Sequence, residues 1–598
     1  MNTRKHIQPL VLLFTLLFLL PNFNHGQYQI SSKEEIEGFK SIPSETVFVH
    51  YNESLLLVGE YLYYKIYCLQ AADLIPSPIS KIGYVELVGK DKKIVFRHKV
   101  PLISGMGQGD FFIPTTVPTG NYKLIGYTRW MFNAEHKNFF TADINIINPY
   151  QELPKTESSK IEIGGSPARN TDESSITDSI GIHEKSPFPK IKTDRAKYGR
   201  RERVSLKIST GPDSQFHGNF SLSVRKRYAE IPNTKVTATQ FSLNPGTSEK
   251  PYVTTINNRI YLPELRGELI SGKVVSKADN SPMRHGKLSL SYFGDHPNVQ
   301  IVNTNGKGVF YSGLNQMDRR NLTTLQVLGV DKDQWLILLD SLPRPEHDNL
   351  NFQELSISPN LNPLLLKRSI YNQVENAYFE QKPDSTAGID SELPVYHALE
   401  ETYILDDYTR FPTLKETVVE IINGVLLRKV KGKFKFQVRS DDSYLLTPDD
   451  TPLVLVDGLL LEDLSDLVSY GVEGIERIGI SRHEYYMGPK LYKGIVSVTT
   501  KENDFLSKTN PNHVQQLKIA SPISLKQYFF QDYVDQMETK HLPDYRHQLL
   551  WKPDLELKKE ETTLVFYTSD NTGEYEISLE GFTQGGKPVS ISDYILVE

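Results

Sequence analysis

The amino-acid sequence predicts a mainly β protein made of several small β-sandwiches in tandem, with a small α+β domain near the C-terminus. The chain has 598 residues, and at roughly 100 to 200 residues per domain this length accommodates about four separate cores. Its 32 Tyr and 27 Phe, set against 7 Met, favour the pleated surfaces on which aromatic rings pack. Short aromatic and β-branched runs recur between Pro and Gly residues, which is the pattern of strands separated by turns.

Composition argues against several classes of protein. With 38% hydrophobic and 23% charged residues, the chain is typical of globular proteins rather than of polytopic membrane proteins or disordered chains. The net charge of −6 gives no reason to expect a nucleic-acid partner. The chain has 1 Cys, Cys68, so an intramolecular disulfide and a four-cysteine zinc site are excluded. The apolar surroundings of Cys68 predict that it packs as a small hydrophobic residue.

The N-terminus predicts a cleaved secretory signal in residues 1–26. Arg4 and Lys5 precede an apolar run over residues 10–20, and Gly26 offers a small residue for cleavage. The alternative is an uncleaved membrane anchor, but the run is shorter than the ~20 residues that cross a bilayer. We therefore expect an exported protein that has no transmembrane span of its own after cleavage.

Composition shifts and turn signals divide the rest of the chain. Strand-like runs alternate with turns over most of its length, whereas residues 157–185 are rich in Ser, Asp, Glu and Gly and lack hydrophobic period, which predicts a linker. The predicted units are a sandwich at 41–150, a flexible linker at 151–187, a second sandwich at 188–264, a third at 265–350, a helical and extended connector at 351–413, the small α+β domain at 414–503 and a C-terminal β module at 504–598.

The connector contains the clearest helical candidate, residues 362–379. Apolar residues recur there at three- and four-residue steps, so they share one helical face. We expect that face to pack against a neighbouring core through Leu366, Ile370, Val374, Ala377 and Tyr378.

Familiar catalytic signatures are missing from the sequence. It contains no Walker-type loop, no His-Glu-x-x-His, no Gly-x-Ser-x-Gly and no Cys-x-x-Cys. His541 and His547 flank Asp544, but their spacing is not a usual zinc pattern and predicts surface or packing histidines. Acidic pairs at 441–442 and 449–450 lack the ligand spacing of a calcium hand. We therefore predict a protein that is not an enzyme, with no catalytic residues, no metal site and no cofactor.

Several segments of residues 46–133 fit one family pattern, namely Val47–Asn52, Lys65–Tyr67, Leu74–Lys81, Tyr84–Leu87 and Pro118–Tyr122. Together they resemble the second macroglobulin-like domain of α2-macroglobulin-type proteins, in the form found in exported bacterial proteins. Residues 194–200 look like the start of a further such sandwich, and residues 272–310 are similar to the carboxypeptidase-regulatory type of sandwich. The resemblance implies tandem macroglobulin-like or Ig-like β-sandwiches.

A second pattern runs through residues 451–501. Residues 453–456 form a continuous apolar strand, Asp457 and Gly458 suit a tight turn, and Gly494 opens the last strand. This order resembles the plug domain of TonB-dependent outer-membrane receptors, which implies that Asp457, Gly458 and Gly494 are structural or docking residues. Residues 485–494 depart from the family pattern, which changes any surface used for gating.

Chain length and one absent motif limit both resemblances. A TonB-dependent receptor holds its plug in a barrel of about 22 strands, each of ~10 residues. After Lys501, 97 of the 598 residues remain, and they resemble another macroglobulin-like or Ig-like module. The Cys-x-Glu-Gln thioester of macroglobulin protease traps is also missing, because Leu69 and Gln70 follow Cys68. The sequence thus predicts a plug-like domain without its own barrel.

These resemblances imply a non-catalytic adaptor in the periplasm, associated with the outer membrane. Its plug-like domain would dock to, or modulate, a separate outer-membrane barrel or another envelope protein. One alternative is a macroglobulin-related peptidase-binding or inhibitor protein that lacks the thioester. A third is an unrecognised enzyme or carbohydrate binder, in which Trp130, Trp335 or Trp551 would contact a glycan.

Overall fold

In the computed structural model the chain is mainly β, which confirms the predicted fold class. The structure describes residues 38, 41–134, 138–151, 160–163, 189–211, 214–244, 260–294, 298–314, 320–329, 331–386, 399–430, 432–439, 451–488, 490–533 and 541–598. The predicted signal at 1–26 lies outside these residues. Within them, no helix is long and apolar enough to cross a membrane.

The first sandwich packs a three-stranded sheet, in the order β1-β3-β6, on a five-stranded sheet, in the order β2-β8-β7-β4-β5. Its strands are β1 (Glu45–Tyr51), β2 (Leu55–Leu57), β3 (Tyr61–Gln70), β4 (Ile82–Gly89), β5 (Ile94–Pro101), β6 (Met106–Phe112), β7 (Gly120–Tyr127) and β8 (Phe140–Ile147). Every residue of β1 is buried. Val47 and Val49 face the sandwich core, while Phe48 meets the Phe582 ring at 5.7 Å on the other side. Both faces of this sheet are therefore covered.

The second sandwich is assembled from two segments that lie far apart in sequence. It has sheets β10-β12-β32 and β11-β34-β33-β13-β31. The first segment supplies β10 (Lys190–Thr193), β11 (Lys197–Tyr198), β12 (Arg203–Ser209) and β13 (Gly218–Lys226), and the second supplies β31 (Gln548–Leu557), β32 (Glu561–Tyr567), β33 (Gly573–Phe582) and β34 (Pro588–Val597). The prediction of separate sandwiches at 188–264 and 504–598 is therefore wrong.

Strand pairing explains why the two segments combine. β12 pairs with β32 from Arg203 to Ser209, and β13 lies between β31 and β33. Alternation along β12 turns Val204, Leu206 and Ile208 inward, and these side chains share one core with residues of the second segment. Four strands alone would leave this apolar face and their edges uncovered. Residues 227–547 consequently form an insertion between β13 and β31.

The third sandwich lies within that insertion. Its sheets have the orders β17-β14-β19 and β16-β15-β18-β29. The strands are β14 (Leu269–Ser276), β15 (Lys287–Gly294), β16 (Asn298–Asn303), β17 (Val309–Gly313), β18 (Arg320–Leu328), β19 (Trp335–Leu339) and β29 (Val514–Leu517). β29 was expected in the C-terminal module, but Leu517 is buried in this core with Leu325 and Phe310.

The unit for which the sequence predicts a plug-like domain, named the plug-like unit after that prediction, has a five-stranded sheet, β22-β27-β28-β25-β26, and the hairpin β23-β24. The strands are β22 (Glu401–Ile404), β23 (Val425–Val430), β24 (Lys433–Val438), β25 (Leu453–Val456), β26 (Leu459–Leu460), β27 (Ile475–Met487) and β28 (Lys490–Thr500), and helices α3 (Leu414–Glu420), α4 (Ser465–Tyr470) and α5 (Phe505–Thr509) cover one face. All four residues of β25 are buried because both faces of the sheet are covered.

Two predicted boundaries of this unit differ from the structure. β22 comes from the predicted connector and pairs with β27. Phe505 and Leu506 come from the predicted C-terminal module, yet they are buried in the plug-like core. In both places the sequence indicates a short element but not the domain to which it belongs. That domain is known only from the sheet with which the element pairs or the core into which it packs.

Short elements link the units. Four residues of the predicted linker form strand β9 (Lys160–Ile163), which pairs in parallel with β20 (Glu354–Ile357). Except for residue 151, the rest of the predicted 151–187 linker lies outside the described residues. The connecting segments also contain α1 (Ala238–Leu243), and β21 (Ser385–Thr386) paired with β30 (Lys526–Gln527).

The predicted helix forms as α2 (Asn362–Ala377), but the prediction of which helix face packs against the protein is wrong. Leu366 is 61% exposed and Ile370 is 49% exposed. The buried residues are Leu365, Arg368, Ser369 and Asn372. A polar face is turned inward because a buried carboxylate of the first sandwich lies opposite it.

Candidate functional site

Asp457 and Gly458 form the tight turn between β25 and β26. Both have positive φ, +49° and +87° respectively. The Asp457 carboxylate accepts hydrogen bonds from the Thr500 N–H at 2.7 Å, the Thr500 hydroxyl at 2.6 Å and the Phe505 N–H at 3.2 Å. Asp457 therefore ties this turn to the end of β28 and the start of α5.

Gly494 lies at a kink in the long hairpin β27–β28. Its φ is +94°, and a Cβ there would lie 2.9 Å from the Ser481 carbonyl oxygen. The pairing register shifts between Ser481 and Glu484, opposite this glycine. Gly494 thus permits a bulge that a larger residue would strain.

One face of the plug-like sheet packs against the third sandwich. Val299, Ile301 and Leu328 share an apolar cluster with Leu453, Leu455 and Met487. At the edge of this cluster, Gln326 Nε2 donates to the Leu460 carbonyl oxygen at 2.7 Å, and the Gly329 N–H donates to Glu462 at 2.6 Å. The plug-like unit is therefore attached to the rest of the molecule through this face.

Exposed apolar side chains lie on other parts of the unit. Ile404 on β22 is 47% exposed, Val419 on α3 is 61% exposed, and Tyr408 between them in sequence is 45% exposed. β22 pairs with β27 on one side, and no described strand pairs with its other edge. We call Ile404, Tyr408 and Val419 the outer-edge residues. An open edge with apolar neighbours is a common site of protein contact.

A cleft of about 150 Å³ lies where the first sandwich, α2 and the second sandwich meet. Its walls combine charged and aromatic side chains. They include Glu60, Tyr61, Tyr63, Arg225, Glu375, Phe379, Lys382, Asp384, Arg546, His547 and Trp551.

Two residues of the cleft wall, Glu60 and Arg225, belong to a buried ion-pair network. Arg368 donates to both oxygens of Glu60 at 2.7 Å and to the Leu55 carbonyl oxygen at 2.9 Å. Arg225 reaches the same carboxylate at 3.1 Å. Burial alone would raise the pKa of Glu60, but the two arginines outweigh it and hold that pKa well below its ordinary value. Glu60 therefore stays ionised and joins three units.

Aromatic rings continue the wall in a stacked series. Phe379 stacks on Tyr61 with ring centroids 6.0 Å apart, Tyr61 on Tyr63 at 5.6 Å, and Tyr63 on Trp551 at 6.0 Å. Phe379 ends the series and is 45% exposed, whereas Trp551 is 5% exposed. The series thus leads from the surface into the protein.

Of the three residues considered for a metal site, Asp544 and His547 make other contacts and His541 is exposed. Asp544 forms a salt bridge with Arg546 at 2.7 Å. Burial favours a raised pKa for Asp544, but Arg546 lowers it to about 2. His541 is exposed, whereas His547 is buried and bonded to Tyr228 at 2.9 Å. Within the described ranges, no group of three His, Cys, Asp or Glu residues is placed to hold a metal.

Sequence reasoning did not find the cleft. Its residues come from β3, β13, α2 and β31, from the residues that flank β3, α2 and β31, and from the segment after β30, and these parts lie far apart in the chain. The sequence feature that could have indicated the cleft is the pair Arg368 and Asn372. These two polar residues lie one turn apart and therefore mark one face of the helix. That signal alone does not distinguish a solvated face from a buried one.

The fold defines the class of this protein as a mainly β, multi-sandwich chain with one inserted α+β unit. It is similar to α2-macroglobulin from Salmonella reacted with methylamine, with 8% identity and a TM-score of 0.23 over 96% of this chain and 40% of the other. It is also similar to Escherichia coli α2-macroglobulin activated by porcine elastase, with 9% identity and a TM-score of 0.22 over 93% of this chain and 44% of the other.

These similarities are distant. The chain spans about 40 to 44% of the length of the two macroglobulins. No family model matches the sequence, and no curated protein does either.

Proposed function

We propose that this chain is an exported, non-catalytic binding protein of the bacterial envelope, whose plug-like unit docks to a separate outer-membrane barrel. Two observations on this unit support the proposal, namely the exposed apolar side chains of the outer-edge residues and the edge of β22 that no described strand pairs with. Covering three half-exposed apolar side chains and pairing a free strand edge would both favour association. The signal-like residues 1–26 are consistent with export.

The attachment to the third sandwich bears on how docking would occur. One face of the plug-like sheet is already covered by the third sandwich. A barrel would therefore meet the outer edge of the unit, with the sandwiches remaining outside the lumen. The chain would act as an adaptor that contacts the periplasmic side of the barrel.

A site-specific cross-linking experiment tests this function. A photoreactive amino acid is placed at position 419 in the plug-like unit or at position 338 on β19, where Leu338 is 48% exposed. We expect cross-links to an outer-membrane barrel from position 419 and none from position 338. Equal labelling from both positions, or labelling of a peptidase instead of a barrel, would contradict docking through the plug-like unit.

A charge substitution provides the matched control. Val419→Glu puts a charge on the proposed contact, and Leu338→Glu puts the same charge on an exposed apolar strand of another unit. The full exported chain is used for both, with sedimentation of the outer membrane as the measurement. Only Val419→Glu should reduce the fraction that sediments with the membrane.

A further inference from the structure

A second, larger cavity opens at one side of the third sandwich. β16 and β17 are the end strands of its two sheets, and no described strand pairs with their outer edges. The cavity is lined by both strands, by residues 262–267 and by the tip of the β27–β28 hairpin, and it holds about 570 Å³. This volume falls within the roughly 300 to 1,000 Å³ of sites that bind small molecules.

Most of the cavity wall is apolar. Several parts of the chain contribute apolar side chains to it, namely Leu262, Leu265, Val302, Leu314, Tyr485 and Met487. The polar side chains between the two strands bond to each other, because the Ser312 hydroxyl donates to Gln300 Oε1 at 3.0 Å. The interior therefore offers mainly apolar surface, on which burial of a hydrocarbon group is favourable.

The mouth of the cavity carries a cation. Arg266 and Tyr486 line the cavity and are exposed, so they mark where it opens to solvent. A Cβ on Gly313 would lie 3.8 Å from Arg266 Cβ, which places the arginine beside the end of β17. Among the described residues, no carboxylate forms a salt bridge with Arg266. Its guanidinium is therefore available to an anionic group of a ligand.

The one acidic residue among the described residues of the wall is already engaged. Glu264 is 1% exposed, and its carboxyl accepts from the Tyr84 hydroxyl at 3.0 Å and from the Leu269 N–H at 3.1 Å. Burial raises the pKa of Glu264 to about 7, so this carboxyl is mostly uncharged at pH 6. Glu264 therefore opposes an anion at Arg266 only weakly.

An extended peptide fits this cavity poorly. The hairpin tip covers the edge of β16, because a Cβ on Gly488 would lie 3.3 Å from the Ile301 carbonyl oxygen. A peptide strand therefore has no free edge to pair with at that point. Its own N–H and C=O groups would be buried against apolar side chains, which is costly. A hydrocarbon chain has no such groups.

We propose that this cavity binds one molecule of a single-chain carboxylate amphiphile, with the acyl chain in the apolar interior and the carboxylate at Arg266. The acyl chain is flexible, so it can follow the wall inward from the mouth. The inference goes beyond the proposed docking function and does not depend on it, because none of the outer-edge residues lines the cavity.

The test uses the exported chain without residues 1–26, at pH 6. Calorimetry measures the binding of hexanoate, octanoate and decanoate below their micelle concentrations, of decyltrimethylammonium as a cation with a ten-carbon chain, and of phosphatidylglycerol vesicles. Arg266→Gln removes the cation at the mouth, and Arg284→Gln changes another exposed arginine of the same sandwich as its control. Gly313→Leu fills part of the cavity, and Gly306→Leu, in an exposed turn outside the cavity, is its control.

The two glycine variants are matched in backbone and space. Neither Gly313 nor Gly306 has a positive φ, and a Cβ on either would meet one atom within 4 Å, at 3.8 Å. Arg266→Gln changes an exposed side chain and leaves the core intact, so it tests the proposal even where Gly313→Leu does not fold.

We expect one decanoate to bind per chain, with affinity rising about fourfold for each methylene added from hexanoate to decanoate. Arg266→Gln should weaken decanoate binding about fivefold, and Gly313→Leu should weaken it about tenfold. Both control variants should bind as the wild type does.

Four results would overturn the proposal. They are the absence of saturable binding to the wild-type chain, equal affinities of the wild type and Gly313→Leu, equal affinities of the wild type and Arg266→Gln, and binding to the vesicles alone. Decyltrimethylammonium binding as tightly as decanoate would also overturn it, because Arg266 would then not select the charge of the ligand.

Discussion

The ion pair between Arg368 and Glu60 predicts a specific loss of stability. In Arg368→Met the two 2.7 Å hydrogen bonds to Glu60 and the bond to Leu55 disappear, while Met fills much of the vacated volume. Removing one partner of a buried ion pair costs about 3 to 5 kcal/mol. Arg225 and Asn372 still contact Glu60, both at 3.1 Å, so we expect the lower end of that range, about 3 kcal/mol.

The assay must resolve this junction within a chain of several units. Urea unfolding of the exported chain, together with hydrogen exchange at the amides of α2, reports both global and local stability. Lys367→Met is the matched control, because Lys367 is exposed on the same helix and its loss should change stability by no more than about 0.5 kcal/mol. Adding Glu60→Gln to Arg368→Met should restore part of the loss by removing the uncompensated charge.

The pH dependence of the variant supplies a second check. Glu60 has a pKa below its ordinary value in the folded chain, so its ion pair contributes stability at neutral pH that is lost as the pH falls through the folded pKa. In Arg368→Met the carboxyl protonates more easily, and the loss relative to wild type should shrink between pH 7 and pH 4. A loss below about 1 kcal/mol at pH 7, or one equal to that of Lys367→Met, would refute the reasoning.

Three further predictions concern other junctions. Burial raises the pKa of Glu264, which faces Tyr84, Arg129 and Glu268, from 4.5 to about 7. The folded state therefore binds more protons than the unfolded state, and the free energy of unfolding falls as the pH rises from about 4.5 to 7. Glu264→Gln should remove up to about 3 kcal/mol of that pH dependence, measured by urea unfolding at pH 5 and pH 8, and an unchanged pH dependence would contradict this prediction. Asp457→Ala should lower the free energy of unfolding by about 2 to 4 kcal/mol, because the Thr500 and Phe505 N–H groups lose their acceptor. Asp457→Asn should lower it less, because Asn keeps an acceptor and tolerates positive φ. Equal shifts of the melting temperature in the two variants would contradict this prediction. Deleting residues 541–598 should leave residues 190–226 open to limited proteolysis, because β12 and β13 lose their partners, and protection equal to that of the whole chain would refute the split sandwich.

Local features of the sequence predicted local structure well. The period-two pattern of β12 and the three- and four-residue steps of α2 correspond to a strand and a helix in the structure. Asp457 and Gly458 occupy a turn, and Cys68 is buried. Each of these depends on neighbours a few residues away, so the information lies within the segment itself.

The face of α2 shows where that information ends. Its apolar spacing predicted packing through Leu366 and Ile370, yet Arg368 and Asn372 are the residues turned inward. The reason lies some 300 residues away along the chain, in Glu60, whose buried charge requires partners.

The amino-acid sequence by itself determined that the protein is mainly β, where many of the strands and the long helix lie, and that Asp457 and Gly458 form a tight turn. Only the tertiary structure shows that residues 190–226 and 548–597 form one sandwich, and that one face of the plug-like sheet packs against the third sandwich. It also shows that a cleft lies between the first sandwich, α2 and the second sandwich. Strand alternation specifies a buried face but not the partner that covers it. Partners separated by hundreds of residues are selected by the fit of whole faces and by the pairing of buried charges, which appear only when the chain is folded.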